Sequence, residues 1–174
     1  MNERPGSLLI GLDLGTTALK CAAYSEDGRL VASATKEYEL LTPGADVVEV
    51  HPFTYWSEFS SAIGDLLRHP EVDARQVAAI GISAQGETLI PLYADGSPTR
   101  NAIVWLDSRA SAESEELAAR FDDKVFYEIT GQPAMLPTWP AAKILWLARH
   151  EAPSFERTAR FVLIEDYFLW RLTG

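Results

Sequence analysis

A short apolar stretch from Ser7 to Leu12 runs into the polar, glycine-containing segment Asp13-Leu14-Gly15-Thr16-Thr17, and alternation resumes from Ala18 to Tyr24. Glu26-Asp27-Gly28 carries the Asp-Gly signal of a tight turn, after which Leu30 to Tyr38 patterns as a third strand. Three strands joined by turns this short form an antiparallel meander. That excludes a dinucleotide-binding βαβ opening, which needs a helix after its first strand. Thr42 to Val50, with Pro43-Gly44, reads as a loop. The period then changes: Tyr55, Phe59, Ile63, Leu66 and Leu67 fall at helical spacing between Pro52 and Pro70.

Val77 to Ser83 is short and apolar and predicts a buried strand. A hairpin follows, Thr88 to Tyr93 and Asn101 to Trp105, turned at Ala94-Asp95-Gly96. Helices are predicted over Ser108–Phe121, Ala141–His150 and Asp166–Leu172, the last with Gly174 as C-cap, and a short strand over Val162–Ile164. Strands of both kinds alternating with helices place the chain in the α/β class with a mixed sheet. The final helix stops at Arg171-Leu172-Thr173-Gly174 with nothing after it to pack against, so the sequence reads as one domain's worth of a longer protein.

Composition narrows the function. Of 174 residues 47% are hydrophobic, enough for a real core, which rules out a disordered linker. Fifteen Lys and Arg against 25 Asp and Glu give a net charge of −10. So acidic a surface argues against nucleic-acid or anionic-membrane binding as the main activity. The single cysteine, Cys21, permits neither an intrachain disulfide nor a cysteine zinc cluster and reads as a small buried hydrophobe. Apolar runs are too short to cross a membrane, and Met1–Pro5 leads into a stretch broken by Gly11 and Asp13, unlike a secretory signal. The expectation is a cytoplasmic protein. Trp56, Trp146 and Trp170 fall at helical spacing and read as core, and the three histidines have no metal-ligand spacing.

Three segments carry candidate chemistry. In Asp13-Leu14-Gly15-Thr16-Thr17-Ala18-Leu19-Lys20, a glycine lets backbone N–H groups approach an anion, Thr16 and Thr17 add hydroxyls, and Lys20 can neutralise phosphate. Asp13 suits a partly hydrated Mg²⁺. The same residues also suit an ordinary hairpin turn. Gln85-Gly86-Glu87 stands past the C-terminal end of a predicted strand, where α/β folds place ligands, and its amide and carboxylate each fix more than one hydroxyl. A solvated hairpin corner is the alternative. In Trp105-Leu106-Asp107-Ser108-Arg109, the indole can face a sugar while Asp107 and Arg109 bind hydroxyls; alternatively Asp107 or Ser108 caps the next helix and Arg109 is solvated.

Taken together, these segments resemble the N-terminal domain of the FGGY family of carbohydrate kinases, the group that includes glycerol kinase and xylulokinase. The resemblance runs nearly end to end: Ile10–Lys20, Val48–Trp56, Ile80–Thr88, Ile103–Arg109, Thr130–Pro133, Ala141–Trp146 and Asp166–Gly174, in the family's order. It implies a ribonuclease H-like fold of the actin-like ATPase superfamily and transfer of the ATP γ-phosphoryl group to a sugar or polyol hydroxyl, with Mg²⁺. By that resemblance Asp13 serves the metal and phosphoryl region, Gly15, Thr16, Thr17 and Lys20 the phosphate, and Gln85, Glu87, Trp105 and Asp107 the substrate. Gly86 stands where a glycerol kinase would carry arginine and Thr138 where it would carry tyrosine, which points toward a bulkier sugar or polyol; the methionine-histidine of xylulokinases is also missing. The resemblance places the general-base aspartate beyond residue 174 and the adenine pocket on a second domain, so this chain alone is expected to be inactive. It leaves homo-oligomerisation of the full-length protein open. A carbohydrate sensor or another actin-like ATPase would share the Asp13–Thr17 turn, but the latter has no need of a polyhydroxyl pocket.

Overall fold

Alternating burial makes the first strands. On β1 (Leu8–Leu14), Leu8, Ile10, Leu12 and Leu14 are buried, while Leu9 and Asp13 between them are exposed. β2 (Ala18–Ser25) repeats the pattern with Leu19, Cys21 and Ala23 inside, and β3 (Leu30–Glu37) completes the expected antiparallel meander. The computed structural model describes residues 6–174; Met1–Pro5, read above as no secretory signal, lie outside the described residues.

The chain forms two compact units, each discontinuous. Unit 1 takes residues up to Glu39, Phe53–Gln85 and Phe168–Gly174, and unit 2 takes Leu40–Pro52 and Gly86–Tyr167.

In unit 1 the sheet order is β3-β2-β1-β6, where β6 (Val77–Ala84) runs parallel to β1, so the sheet is mixed. The expected burial of Val77–Ser83 does not hold. β6 is the edge strand with β1 as its one neighbour, and Ala78 through Gly81 are exposed. α1 (Pro52–Leu67) begins at a proline suited to a helix's first turn and buries Tyr55, Phe59, Ala62 and Leu66, one stripe at helical spacing. Trp56, Phe59 and Phe168 form an aromatic cluster with ring centroids 5.3–5.7 Å apart, and the Arg171 guanidinium lies 4.3 Å from the Trp56 ring centroid. Trp170, expected in the core, is exposed.

Unit 2 holds a five-stranded antiparallel sheet. Where a loop is expected over Thr42–Val50, the chain forms a hairpin of β4 (Leu41–Gly44) and β5 (Val47–Val50) turned at Ala45-Asp46. Pro43 is tolerated because β4 is an edge, where no ladder hydrogen bond is required of it. β5 pairs β8 (Ala102–Ile103), β8 pairs β7 (Leu89–Leu92) in the expected hairpin, and β7 pairs β9 (Arg160–Leu163). Leu89, Ile103 and Leu147 form a buried cluster with Ile144, Trp146, Phe155 and Phe161 against it.

The helices of unit 2 are α2 (Ser111–Ala118), α3 (Asp123–Thr130), α4 (Pro140–His150) and α5 (Ala152–Arg157). α3 and α5 are not predicted from the sequence; both are short and bury no residue. α3 is fixed locally instead: Asp122 accepts from the amides of Lys124 and Val125, and Gly131 closes the helix at φ +72°. α6 (Ile164–Thr173) starts in unit 2 and ends in unit 1, with Gly174 donating to the Trp170 carbonyl at 2.8 Å. Among the described residues no helix is long and apolar enough to cross a membrane.

Candidate functional site

In unit 1 the candidate residues gather at one end of the sheet. β1 and β6 are parallel neighbours, and the Gln85 amide donates to the Leu14 carbonyl at 2.9 Å, so the Gly15-Thr16-Thr17 turn and Gln85 both leave the sheet at its C-terminal end. Asp13 pairs with Lys20 across β2 and with Ser83 across β6, which puts a carboxylate, an ammonium and a hydroxyl abreast on one face. Asp13 and Lys20 are both exposed and line a groove of about 620 Å³ floored by Gly11, Ala22 and Gly81.

The turn is braced from within. The Gly15 amide donates to the Ala18 carbonyl at 3.0 Å, and a Cβ on Gly15 would stand 2.7 Å from that oxygen. Glycine is therefore required to close the turn, and its N–H is engaged there; what the turn offers an anion is its threonines and Lys20. Tyr38, at the far end of β3, donates its amide to the Thr17 carbonyl at 3.0 Å and its hydroxyl to the Gly15 carbonyl. The Tyr38 ring meets Tyr55 edge-on at 5.1 Å, and the Tyr55 hydroxyl accepts from Gln85 Nε2 at 3.1 Å. Burial, then the neighbouring Tyr55 and the Asp13 charge, push the Tyr38 phenol far up, and burial pushes Tyr55 up to about 12, so both stay protonated donors. Among the described residues Gln85 Oε1 has no partner and is buried, an acceptor left over once Nε2 is committed to Tyr55.

In unit 2 the chain passes from Gly86 at φ +63° to Glu87 at φ +34°, a non-glycine residue held in left-handed territory. Thr88 is buried, and its Oγ1 accepts from the Trp105 amide at 3.1 Å, tying the Glu87 turn to the Trp105 segment. Trp105 itself is half-buried.

Asp107, expected in the substrate wall, is fully buried. Its oxygens accept from the Val48 amide at 2.6 Å, from the Arg109 amide at 3.1 Å and from the Arg109 guanidinium at 2.7–3.0 Å. Neither alternative reading of the segment holds. α2 begins after Ala110 with no side-chain cap, and Arg109, 7% exposed, pairs with Asp107 and Glu49 while its guanidinium carbon lies 5.0 Å from the Trp146 ring centroid. Glu49 also binds Arg100 and Asn101, and Arg100 reaches Glu151 at 2.6 Å. Burial pushes Glu49 up, but Arg100, Arg109 and Asn101 outweigh it and hold the carboxyl below its ordinary range.

Sequence pattern missed one residue here. Lys143 on α4 is fully buried, and its ammonium donates to the Val104 carbonyl at 2.9 Å and the Glu87 carbonyl at 3.4 Å. The signal lies in the helical period: Lys143 stands on the stripe that continues through Trp146 and buried Leu147. Cys21 is buried as expected, and burial pushes its thiol up to about 12, which makes it a poor nucleophile.

Residues 8–174 match the model of the N-terminal domain of the FGGY family of carbohydrate kinases. The chain is 32% identical over 166 residues to a xylulose kinase of Bacillus subtilis, covering 95% of this chain and 33% of that protein. It is 32% identical over 176 residues to a glycerol kinase of Allorhizobium ampelinum, covering 97% and 35%. Among solved structures, a gluconate kinase from Lactobacillus acidophilus superposes with a TM-score of 0.86 at 31% identity, over 95% of this chain and 33% of that one. The chain thus spans about a third of the length of the relatives it matches.

Proposed function

The chain belongs to the FGGY family of carbohydrate kinases, whose actin-like fold it shares, and from that membership we propose that it provides the sugar- or polyol-binding half and part of the phosphate-binding half of an ATP-dependent kinase. One observation carries the reading. The Asp13–Thr17 turn and Gln85 leave two parallel neighbours at the same end of one sheet, where α/β folds bind ligands, and Glu87 follows two residues later.

The residues fit an ATP–Mg²⁺ partner. Among the described residues no three carboxylates, histidines or cysteines cluster as a protein cage, and Mg²⁺ binds instead through one or two carboxylates while keeping several waters. Asp13 would hold the hydrated metal, and Lys20 with the Thr16 and Thr17 hydroxyls would hold phosphate oxygens. The nucleotide supplies the phosphoryl group, and the metal neutralises its charge. This chain's own residues bind and orient: Gln85 and Glu87 fix hydroxyls, and the Trp105 ring gives the ligand an apolar wall. Asp107 acts from inside, as the anchor of the Trp105 segment.

The relatives named above are kinases of xylulose, glycerol and gluconate, so the substrate is assigned here as a class. Gly86, in place of a bulky cation, favours a substrate larger than glycerol. The chain alone is proposed to bind without phosphorylating, and ATP-dependent phosphorylation of a sugar by the purified 174 residues would overturn that.

The test is a thermal-shift panel of pentoses, ketoses, hexoses and polyols on the wild-type chain and Glu87→Ala. Alanine at a φ of +34° carries the same Cβ strain as glutamate, so the variant isolates the carboxylate. Selective stabilisation lost in the variant is expected. Equal stabilisation of both proteins removes Glu87 from the site, and silence toward every sugar and toward ADP–Mg²⁺ removes the ligand site altogether.

A further inference from the structure

Lys143 has no role in the chemistry above, yet it is a fully buried cation and costly to place. A fully buried ammonium loses its hydration, and a methionine would fill similar space without that loss. Desolvation, only partly offset by the charges of Asp107 and Glu87 and reinforced by Arg109, pulls its pKa down to about 8. Such a placement needs a compensating contact, and the geometry supplies one. The two carbonyls it meets both belong to irregular backbone: Glu87 at positive φ, and Val104, just past the end of β8, which also accepts from the Asp107 amide at 2.9 Å. Each borders on the proposed ligand wall: Glu87 ends one of its segments, and Val104 immediately precedes Trp105, which begins the other.

We propose that Lys143 is a positioning residue: its ammonium bridges the Glu87 and Val104 carbonyls and so sets the Gly86–Glu87 turn and the Trp105 segment as one preorganised wall before any ligand arrives. This rests on the reading of those segments as the hydroxyl-binding wall, but the bridge exists whether or not that reading holds. Preorganisation of this kind lowers the ordering cost of binding without touching the ligand. The Thr88 hydroxyl, accepting from the Trp105 amide, is the second tie between the same two segments and depends on the first to stay in register.

The experiment is amide hydrogen exchange on the wild-type chain and on Lys143→Met, which keeps the side chain's length and removes its donors. The expected result is exchange accelerated at least tenfold at the Thr88 and Trp105 amides, with the amides of β7 and β9 unchanged. Titrated with the sugar that the panel selects, the variant should bind at least tenfold more weakly, with ADP–Mg²⁺ affinity unaltered. Unchanged exchange at Thr88 and Trp105 overturns the proposal. So does uniform acceleration through β7 and β9, which would make Lys143 a contributor to unit 2's stability and nothing more. Should the methionine variant fail to fold, Lys143→Gln, which keeps a shorter neutral donor, is read at the same amides against the same two outcomes. Localised acceleration in a protein that binds no sugar upholds the bridge and removes the functional reading instead.

Discussion

The two turns that carry candidate chemistry are held by opposite means. In unit 1 the Gly15-Thr16-Thr17 turn is braced by neutral groups: a glycine that admits the Ala18 carbonyl, a tyrosine that binds Thr17 and Gly15, and a second tyrosine behind it linked to Gln85. The charged residues beside it, Asp13 and Lys20, stay on the exposed face. In unit 2 the Trp105–Arg109 segment is held by charge: Asp107, Arg109, Glu49, Arg100 and Lys143 are all buried or nearly so. A turn that binds phosphate, as proposed for this one, gains by keeping its structural bonds neutral, because fixed charge behind it would compete with or repel the ligand. A wall meant for neutral hydroxyls is under no such constraint. It can use buried ion pairs, which add little net stability but specify one arrangement, since any other leaves a charge unpaired in the interior.

The comparison breaks most visibly at Arg109. Replacing it with methionine leaves Asp107 buried with two backbone amides, those of Val48 and residue 109, and no cation on its oxygens, and it removes one of Glu49's partners, so urea denaturation should show a loss of about 3–5 kcal/mol. A loss no greater than that from an ordinary surface substitution would mean the network is solvated in solution and the contrast between the two turns is false.

Lys143 sharpens it through pH. Its pKa is about 8 in the folded chain against 10.5 ordinarily, so between those values the unfolded chain keeps a proton that the folded one has released. Folding stability of the wild type should therefore rise from pH 8 to 10.5, relative to Lys143→Met, by roughly 3 kcal/mol. Parallel pH profiles for the two proteins would show the ammonium to be solvated.

The smallest effects belong to the neutral turn. Tyr38→Phe removes one hydroxyl bond and should cost about 1 kcal/mol, with the same profile from pH 5 to 8 as the wild type. Gly15→Ala, which brings a Cβ to 2.7 Å from a backbone oxygen, should cost somewhat more, roughly 1–3 kcal/mol. A pH-dependent penalty in Tyr38→Phe would place charge behind the Gly15-Thr16-Thr17 turn and undo the distinction from the other side.

What could be read from the chain follows the same division. A short apolar run gives β1, alternation and the Asp27-Gly28 turn give β2 and β3, and the spacing of Tyr55, Phe59, Ile63, Leu66 and Leu67 gives α1, because repetition over many residues outweighs local ambiguity. β4 hides behind Pro43-Gly44, since edge position, the property that tolerates proline, is tertiary. β6 has the composition of a buried strand and the exposure of an edge for the same reason. The candidate residues Asp13 and Lys20 both lie on the exposed face of their strands. Asp107 and Arg109 instead show only a polar pair before a helix; that they turn inward depends on Glu49, sixty positions from Arg109 in sequence, and on Val48. The FGGY resemblance assigned Asp107 to the substrate wall but could not give its inward orientation.

The interleaving of the two units has a consequence for how the chain is made. It crosses from one unit to the other at Glu39–Leu40, Pro52–Phe53, Gln85–Gly86 and Tyr167–Phe168. Phe168 and Arg171, which close on Trp56 and Phe59, therefore leave the ribosome long after the residues they pack against. The Gly15-Thr16-Thr17 turn is synthesised early, yet the unit that carries it cannot finish its aromatic cluster until Phe168 has emerged. Through that interval the half-made protein exposes apolar surface of the kind chaperones recognise.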